Sequence, residues 1–361
     1  MSHELLAPAP RANPDLAGHE AAEAVLKQSF ENGRLPHALL LSGPRGIGKA
    51  TLAYRLARFV LREGSEGGVP DMFGTAETPP AVPGLAVSLG SGVFRRVAAG
   101  GHADLLTVER AFDPRRKRLR SEIVVDDIRE IGAFLHLTAA EGGWRVVIVD
   151  GADAMNRNAG NALLKILEEP PRRTLLLLVA HSPGRLLPTI RSRCRQMKLM
   201  PLSNGNVRLL LDRYCPALDD DTTATIVDLA EGSIGRALEL AGSGGIALYQ
   251  TMIAMLARRP GMDPLALHGF ADKLARADAE DAYRAAEELL RQHLARQAIA
   301  AARGGLRDEA ARWANLRNDI SDDFARADGL NLDRKQTILR AFFAIGEATG
   351  RPLNPRVGLS V

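Results

Sequence analysis

Apolar and polar positions change their spacing about halfway along the chain. In the first 202 residues, short continuous apolar runs alternate with segments whose apolar residues recur every three or four positions. The runs predict buried strands, and the periodic segments predict helices. The predicted strands are 37–42, 105–108, 145–149 and 175–183. Because strands buried on both faces are typical of parallel sheets, we expect this half to be an α/β domain.

The helical segments between these strands are 49–61, 125–137 and a third around ALLKILEEPP, which two prolines end. Beyond residue 203 no comparable strand run occurs, and six segments show helical periodicity. The sequence GSGG at 242–245 predicts a hinge between a small helical unit and a final bundle. The stretch 63–101 is rich in Gly, Pro and Ser, so we expect a loose excursion there.

Composition narrows the class of protein. The chain has 361 residues, 46% of them apolar and 25% charged, with a net charge of +4. No apolar run reaches the roughly 20 residues that a membrane helix needs, and the N-terminus lacks a signal pattern. Two cysteines are too few for a disulfide framework or a four-cysteine zinc cluster. These features favour a reduced, cytoplasmic protein that requires no zinc.

A glycine-rich turn between the first predicted strand and its helix is the main candidate site. Strand, turn and helix in this order are the context of a phosphate-binding loop, whose backbone N–H groups and lysine face one anion. The candidate nucleotide-binding residues are Gly43, Pro44, Arg45, Gly46, Ile47, Gly48, Lys49, Ala50 and Thr51.

Two positions depart from a working ATP site. Ala50 stands where Ser or Thr normally holds the magnesium ion. Asp150, at the end of a predicted strand, fits a magnesium-linked aspartate, but Gly151 follows it where a glutamate would orient the attacking water. We therefore expect a degenerate site without hydrolysis, and the sequence leaves ATP or ADP binding open.

A third motif, Ser192-Arg193-Cys194, follows the last predicted strand. Together with LPHALLLSGPRGIGKAT, GNALLKILEEPP and PGRLLPTIRSRCR, it resembles the clamp-loader subunits of bacterial DNA polymerase III, which are AAA+ proteins. The resemblance spans about residues 16–202. The missing hydrolytic groups favour the delta-prime type over the gamma/tau motor.

The resemblance implies roles for individual residues. Arg193 would act as an arginine finger in the ATP site of a neighbouring subunit. Apart from the resemblance, Cys194 has no histidine near it in the sequence, so we expect it to pack in the core. Relatives often carry a four-cysteine zinc module where this chain has the cysteine-free stretch 63–101. Gly235 takes the place of a phosphate-sensing arginine, although a register shifted by one would assign that role to Arg236.

The resemblance also implies an architecture and a task. An AAA+-type P-loop domain with a parallel sheet would span 1–202, followed by an all-α lid, 203–243, and an all-α collar, 244–361. The chain would join gamma/tau and delta subunits and help load the sliding clamp (beta) onto primed DNA. It would be a non-catalytic part of a DNA polymerase holoenzyme, in the cytoplasm at the nucleoid-associated replisome, with no membrane contact.

Two alternatives remain at this point. In an active gamma/tau-type motor, Thr51 would replace the missing hydroxyl and another carboxylate, such as Asp153, the missing glutamate. A non-enzymatic nucleic-acid-binding scaffold would act through a basic cluster, which otherwise would be a solvated hairpin or loop. That cluster, a candidate DNA or partner contact, consists of Arg115, Arg116, Lys117, Arg118 and Arg120. His102 and His181 lack metal-ligand spacing and are expected to be structural.

Overall fold

A computed structural model describes residues 7–65, 84–113, 118–141, 143–242, 244–257, 263–330 and 332–348. The chain divides into two compact units, Met1–Leu238 and Glu239–Val361. The helices that follow residue 203 lie in the first unit as far as Leu238. The predicted boundary between a sheet domain and a separate lid stays a prediction.

The strands are β1 (Ala38–Ser42), β2 (Leu105–Val108), β3 (Phe112–Asp113), β4 (Arg118–Leu119), β5 (Arg145–Asp150), β6 (Thr174–Ala180) and β7 (Arg195–Lys198). Five of them form one parallel sheet in the order β2-β5-β6-β1-β7, and β3 pairs with β4 as an antiparallel hairpin. Since all five strands run the same way, their carboxyl ends share one edge of the sheet. The predicted α/β fold with a parallel sheet is confirmed.

The helices of the first unit are α1 (Glu20–Glu31), α2 (Lys49–Ser65), α3 (Gly92–Ala98), α4 (Val125–His136), α5 (Arg157–Glu168), α6 (Pro188–Arg193), α7 (Asn204–Tyr214), α8 (Asp220–Ala230) and the start of α9 (Ile234–Gly242). Alternate strand residues point to opposite faces of the sheet. Leu39 and Leu41 belong to a core with α1, α2 and α3, whereas Leu40 belongs to a core with α4, α5 and α6. The sheet is therefore covered by helices on both faces.

Two elements differ from the sequence prediction. The excursion predicted over 63–101 is partly helical: α2 extends to Ser65, and α3 forms because Val93, Phe94 and Val97 turn one apolar face inward. Residues 66–83 lie outside the described part. Strand β7 was not predicted, because it is a polar edge strand beside β1 and lacks an apolar run.

The second unit contains α10 (Gly245–Ala257), α11 (Pro264–Ala275), α12 (Glu280–Arg303), α13 (Arg307–Leu330) and α14 (Arg334–Ala348). The two longest, α12 and α13, form a helical hairpin. Tyr283 packs against Phe324 with ring centroids 5.3 Å apart, and Phe270 against Phe342 at 5.8 Å. The second unit is all-α in its described residues, as the sequence predicted.

No single helix in the described ranges is long and apolar enough to cross a membrane. Helices α9 and α10 reach that threshold only as a bent pair taken together.

Candidate functional site

The glycine-rich turn joins the end of β1 to the start of α2. Gly43, Gly46 and Gly48 have φ values of +149°, +74° and +98°, a region that side chains with a Cβ rarely adopt. A Cβ on Gly43 would also lie 2.4 Å from the carbonyl oxygen of Leu199. The turn therefore needs these glycines for its backbone path, as a phosphate-binding loop does.

Lys49 begins α2 and is buried beside this turn. Its Nζ donates to the carbonyl oxygen of Gly43 at 2.8 Å and to that of Pro44. Burial lowers the pKa of Lys49 to about 8, although the nearby charges of Asp150 and Asp153 favour the ammonium form. The ammonium group is thus held against the loop by the loop's own carbonyl groups.

The position of the magnesium hydroxyl is taken by Ala50 in the first turn of α2. Thr51 is buried one residue further on. One residue corresponds to about 100° around a helix with 3.6 residues per turn, so the two side chains leave the helix in different directions. The hydroxyl of Thr51 is not a direct substitute for the missing one.

The carboxyl edge of the sheet brings Asp150 close to Lys49. Burial raises the pKa of the Asp150 carboxyl, and the neighbouring charge of Glu109 raises it further, while Lys49 acts in the opposite direction. Glu109 directly follows β2, so the rule that parallel strands end at one edge could have placed it here. Gly151 has a φ of +76°, so a glutamate at this position would have to adopt a strained backbone.

Asp153 is engaged by the turn that follows β6. Its carboxylate accepts the backbone N–H of His181 at 3.1 Å and of Ser182 at 2.9 Å. Burial alone would raise the pKa of Asp153, but these hydrogen bonds hold it below its usual value. Burial lowers the pKa of His181, and the charge of Lys49 lowers it further. His181 thus lies within electrostatic reach of the loop lysine, which its isolated position in the sequence did not reveal.

The start of α9 lies directly on the glycine-rich turn. Gly235 donates its backbone N–H to the carbonyl oxygen of Gly46 at 2.9 Å, and the hydroxyl of Ser233 donates to that of Arg45 at 2.9 Å. A Cβ on Gly235 would lie 2.9 Å from the Cα of Gly46. The side chain of Arg236 forms an ion pair with Glu231 at 3.4 Å. In this structure Gly235 touches the loop through its backbone.

The motif Ser192-Arg193-Cys194 ends the short helix α6. Arg193 is its last residue, and 38% of its side chain is exposed. The guanidinium donates to Glu168 at 2.7 Å and to the carbonyl oxygen of Thr189 at 3.1 Å. Cys194 is buried in the core, and burial raises the pKa of its thiol to about 11. The motif therefore buries the side chain of Cys194 and presents that of Arg193 at the surface.

Two residues of the basic cluster lie at the β3–β4 hairpin. Arg118 lies in β4 and Arg120 follows it, whereas Arg115, Arg116 and Lys117 lie outside the described residues. Phe112 and Leu119 pair directly across the hairpin, and both are exposed.

Within the described ranges, no group of three or more His, Cys, Asp or Glu side chains is placed to hold a metal ion. The absence of zinc stays a prediction.

Sheet order and site together define the class of protein. The order β7-β1-β6-β5-β2, a glycine-rich turn after the interior strand β1 and an aspartate at the end of β5 are the arrangement of an AAA+-type P-loop domain.

Comparison with known proteins narrows this class. A family model described as DNA polymerase III, delta subunit, matches residues 90–203. The chain is 37% identical over 223 residues to DNA polymerase III subunit delta' of Pseudomonas aeruginosa, covering 62% of this chain and 61% of that protein. The resemblance seen in the motifs is confirmed by these matches, and the chain is similar to a DNA polymerase III delta' subunit.

Other matches have a lower sequence identity to this chain. DNA polymerase III subunit tau of Escherichia coli is 30% identical over 267 residues, covering 71% of this chain and 38% of that protein. Both alignments thus span less than two thirds of the relatives' own lengths. A solved DNA polymerase III gamma subunit-related protein from Thermotoga maritima shares 18% identity, with a TM-score of 0.40, covering 91% of this chain and 98% of that chain. The fold assignment rests on the sheet order of this chain itself.

Proposed function

We propose that this chain is a clamp-loader subunit of bacterial DNA polymerase III that does not hydrolyse ATP itself. In this proposal it works with gamma/tau and delta subunits in loading the sliding clamp (beta) onto primed DNA, at the replisome in the cytoplasm. One combination of features supports this proposal. The chain's own site lacks two hydrolytic groups, at Ala50 and Gly151, while the side chain of Arg193 lies at the surface.

Arg193 is suited to act on a neighbouring subunit. Its partner Glu168 is 50% exposed, and ion pairs in such exposed positions contribute only about 0–1 kcal/mol. The guanidinium can therefore exchange this carboxylate for a phosphate group at little cost. A guanidinium that meets the transferred phosphoryl group accelerates hydrolysis by about 10³ to 10⁵ in systems where this has been measured.

Nucleotide binding without hydrolysis is consistent with the loop. Its three glycines and Lys49 fit a phosphate group, whereas Ala50 and Gly151 supply neither a magnesium ligand nor a base for water. A bound ATP or ADP would require Lys49 to exchange at least one of its carbonyl partners for a phosphate oxygen. We propose that neither nucleotide nor zinc is required for folding.

The alternative is an active motor of the gamma/tau type, and the 30% identity to a tau subunit is consistent with it. It would need Thr51 and Asp153 in the missing roles. The direction of Thr51 on α2 and the two backbone N–H groups bound to Asp153 both argue against this assignment.

Two ATPase measurements test the proposal. The isolated full chain should not hydrolyse ATP. Hydrolysis by the wild-type chain that disappears in Lys49→Ala would support the motor alternative. In the reconstituted ring, Arg193→Ala should lower DNA- and clamp-stimulated ATPase, but only in part, since other sites keep their own arginines. Arg193→Lys should also fail largely, because an ammonium lacks the planar fork of a guanidinium.

Two matched variants separate an arginine finger from a structural ion pair. Arg195→Ala removes an exposed arginine two residues away and should leave the rate unchanged. Glu168→Gln breaks the ion pair but keeps the guanidinium, so the ring should retain most of its activity. If Glu168→Gln and Arg193→Ala reduce the rate equally, or if the Arg193→Ala ring is as active as wild type, the finger assignment is wrong.

A further inference from the structure

A cavity of 310 Å³ opens between α2, α3 and the segment before α1. Its lining combines two arginines with mainly apolar residues, including Pro14, Arg55, Arg58, Ala86, Leu89 and Phe94. Arg58 follows Lys49 by nine residues on α2, which corresponds to about 13 Å along a helix axis. The cavity is thus separate from the glycine-rich turn.

The two arginines are in different electrostatic situations. Arg55 forms an ion pair with the buried Glu23 and donates to the carbonyl oxygen of Pro14 at 2.6 Å. Arg58 is 1% exposed and donates through its two Nη atoms to the carbonyl oxygens of Arg11 and Asn13, each at 2.9 Å. Its Nε–H has no acceptor, and within the described ranges no carboxylate pairs with it.

A buried guanidinium in this state is incompletely compensated. Burial lowers the pKa of Arg58 to about 10, and the positive charge of Arg55 lowers it further. The ring of Phe94 lies 4.7 Å from the guanidinium carbon and offers a cation–π contact. Two carbonyl dipoles and a ring reduce the cost of burying the charge, but they supply no counter-charge.

We propose that this cavity binds an organic oxyanion, a carboxylate or phosphate group carried on an apolar body, through the guanidinium of Arg58. Because the Nε of Arg58 is buried in the unliganded chain, the oxyanion would accept its N–H after a small shift of the side chain and would neutralise the buried charge. The apolar body would lie against Phe94, Leu89 and Ala86. The cavity has the volume of about ten water molecules at roughly 30 Å³ each, which is enough for a ring-sized group.

Small probes test the proposal on the full chain. Benzoate, phenyl phosphate, inorganic phosphate and the neutral benzyl alcohol are titrated while the Arg58 Nε–H resonance is followed by NMR with ¹⁵N-labelled arginine. Benzoate and phenyl phosphate should shift that resonance saturably, with affinities at least about tenfold above inorganic phosphate and benzyl alcohol. The tighter of the first two distinguishes a carboxylate from a phosphate ligand. If neither shifts the resonance, the proposal is wrong.

A matched pair of cavity variants keeps the test independent of Arg58 itself, since replacing Arg58 also removes its bonds to Arg11 and Asn13. Ala86→Glu adds a carboxylate to the lining and should compete with the probe, weakening binding at least about tenfold. It should also raise the melting temperature of the probe-free chain. Ala86→Gln adds the same volume without charge and should bind more tightly than Ala86→Glu. Equal binding by wild type and Ala86→Glu would overturn the proposal.

Discussion

Gly235→Ala would perturb the contact between the start of α9 and the glycine-rich turn. The new Cβ would lie 2.9 Å from the Cα of Gly46 and 3.5 Å from its carbonyl oxygen. A Cβ is not found this close to a backbone carbon, so the two segments must move apart. The backbone of Gly46 cannot give way easily, because its φ of +74° is fixed by the turn.

The expected loss follows from the hydrogen bonds at this contact. Separation weakens the bond from Gly235 to Gly46 and that from Ser233 to Arg45, each 2.9 Å long. Net contributions of about 0.5–1.5 kcal/mol per hydrogen bond give a loss of about 1–3 kcal/mol. Alanine is favoured over glycine within a helix by up to about 1 kcal/mol, which offsets part of this loss.

Gly205→Ala is the matched control. Gly205 is the second residue of α7, as Gly235 is of α9, but its Cβ would meet only the Ser203 hydroxyl at 3.9 Å. The helix-propensity gain should therefore be similar in both variants. The difference between them, about 1–3 kcal/mol, isolates the contact with the turn.

Urea denaturation followed by tryptophan fluorescence measures this difference. Trp144 lies in the first unit and Trp313 in the second, so a Trp313→Phe background reports on the first unit alone. Single-unit readout matters because a chain with two units can unfold in steps. Amide hydrogen exchange is compared at Gly46 and Ser233, because both variants keep these two residues. Exchange there should be faster in Gly235→Ala than in Gly205→Ala. Equal midpoints for Gly235→Ala and Gly205→Ala would refute the reasoning.

Two further predictions concern charge. Burial lowers the pKa of Lys49 to about 8 in the folded chain, against 10.5 for an unperturbed lysine. Between these two pH values the unfolded chain binds more protons than the folded chain. The free energy of unfolding should therefore rise as the pH increases from about 8 to 10.5, by ~3 kcal/mol in total. Lys49→Met should lack this rise in otherwise identical urea titrations, and equal slopes for both chains would contradict the assignment. If the basic cluster touches DNA, replacing its five residues by Ala should flatten the salt dependence of DNA binding by the ring by about 0.9 in log–log slope per lost phosphate contact. An unchanged slope would leave the cluster as a solvated hairpin.

The sheet was predictable from the sequence because its strands are buried on both faces. The runs at 105–108 and 145–149 agree with β2 and β5 to within one residue, since nothing interrupts their apolar character. The end of β6 was placed too late because the prediction included His181, Ser182 and Pro183, whereas the apolar run and the strand both end at Ala180.

Elements that depend on distant partners were not predictable. Strand β7 is a strand only because its backbone pairs with β1, and its side chains carry no apolar pattern. The contact of Gly235 with Gly46 joins residues far apart in the sequence, and neither residue has a side chain that could signal it. The alignment of Gly235 with a phosphate-sensing arginine stays a prediction, and it did not reveal the hydrogen bond from Gly235 to the turn.

The carbonyl oxygens of the glycine-rich turn, at residues 43–47, all accept hydrogen bonds from other parts of the chain. Lys49 bonds to the carbonyl oxygens at 43 and 44, α9 to those at 45 and 46, and His19 Nε2 donates to that at 47 at 2.7 Å. We therefore expect the turn to keep its shape without a nucleotide. A Cβ on Gly46 would lie 2.4 Å from the Ser233 hydroxyl, so glycine is needed there for packing as well as for its φ of +74°. In the proposed non-hydrolysing subunit, the phosphate-binding loop would thus remain as a structural junction.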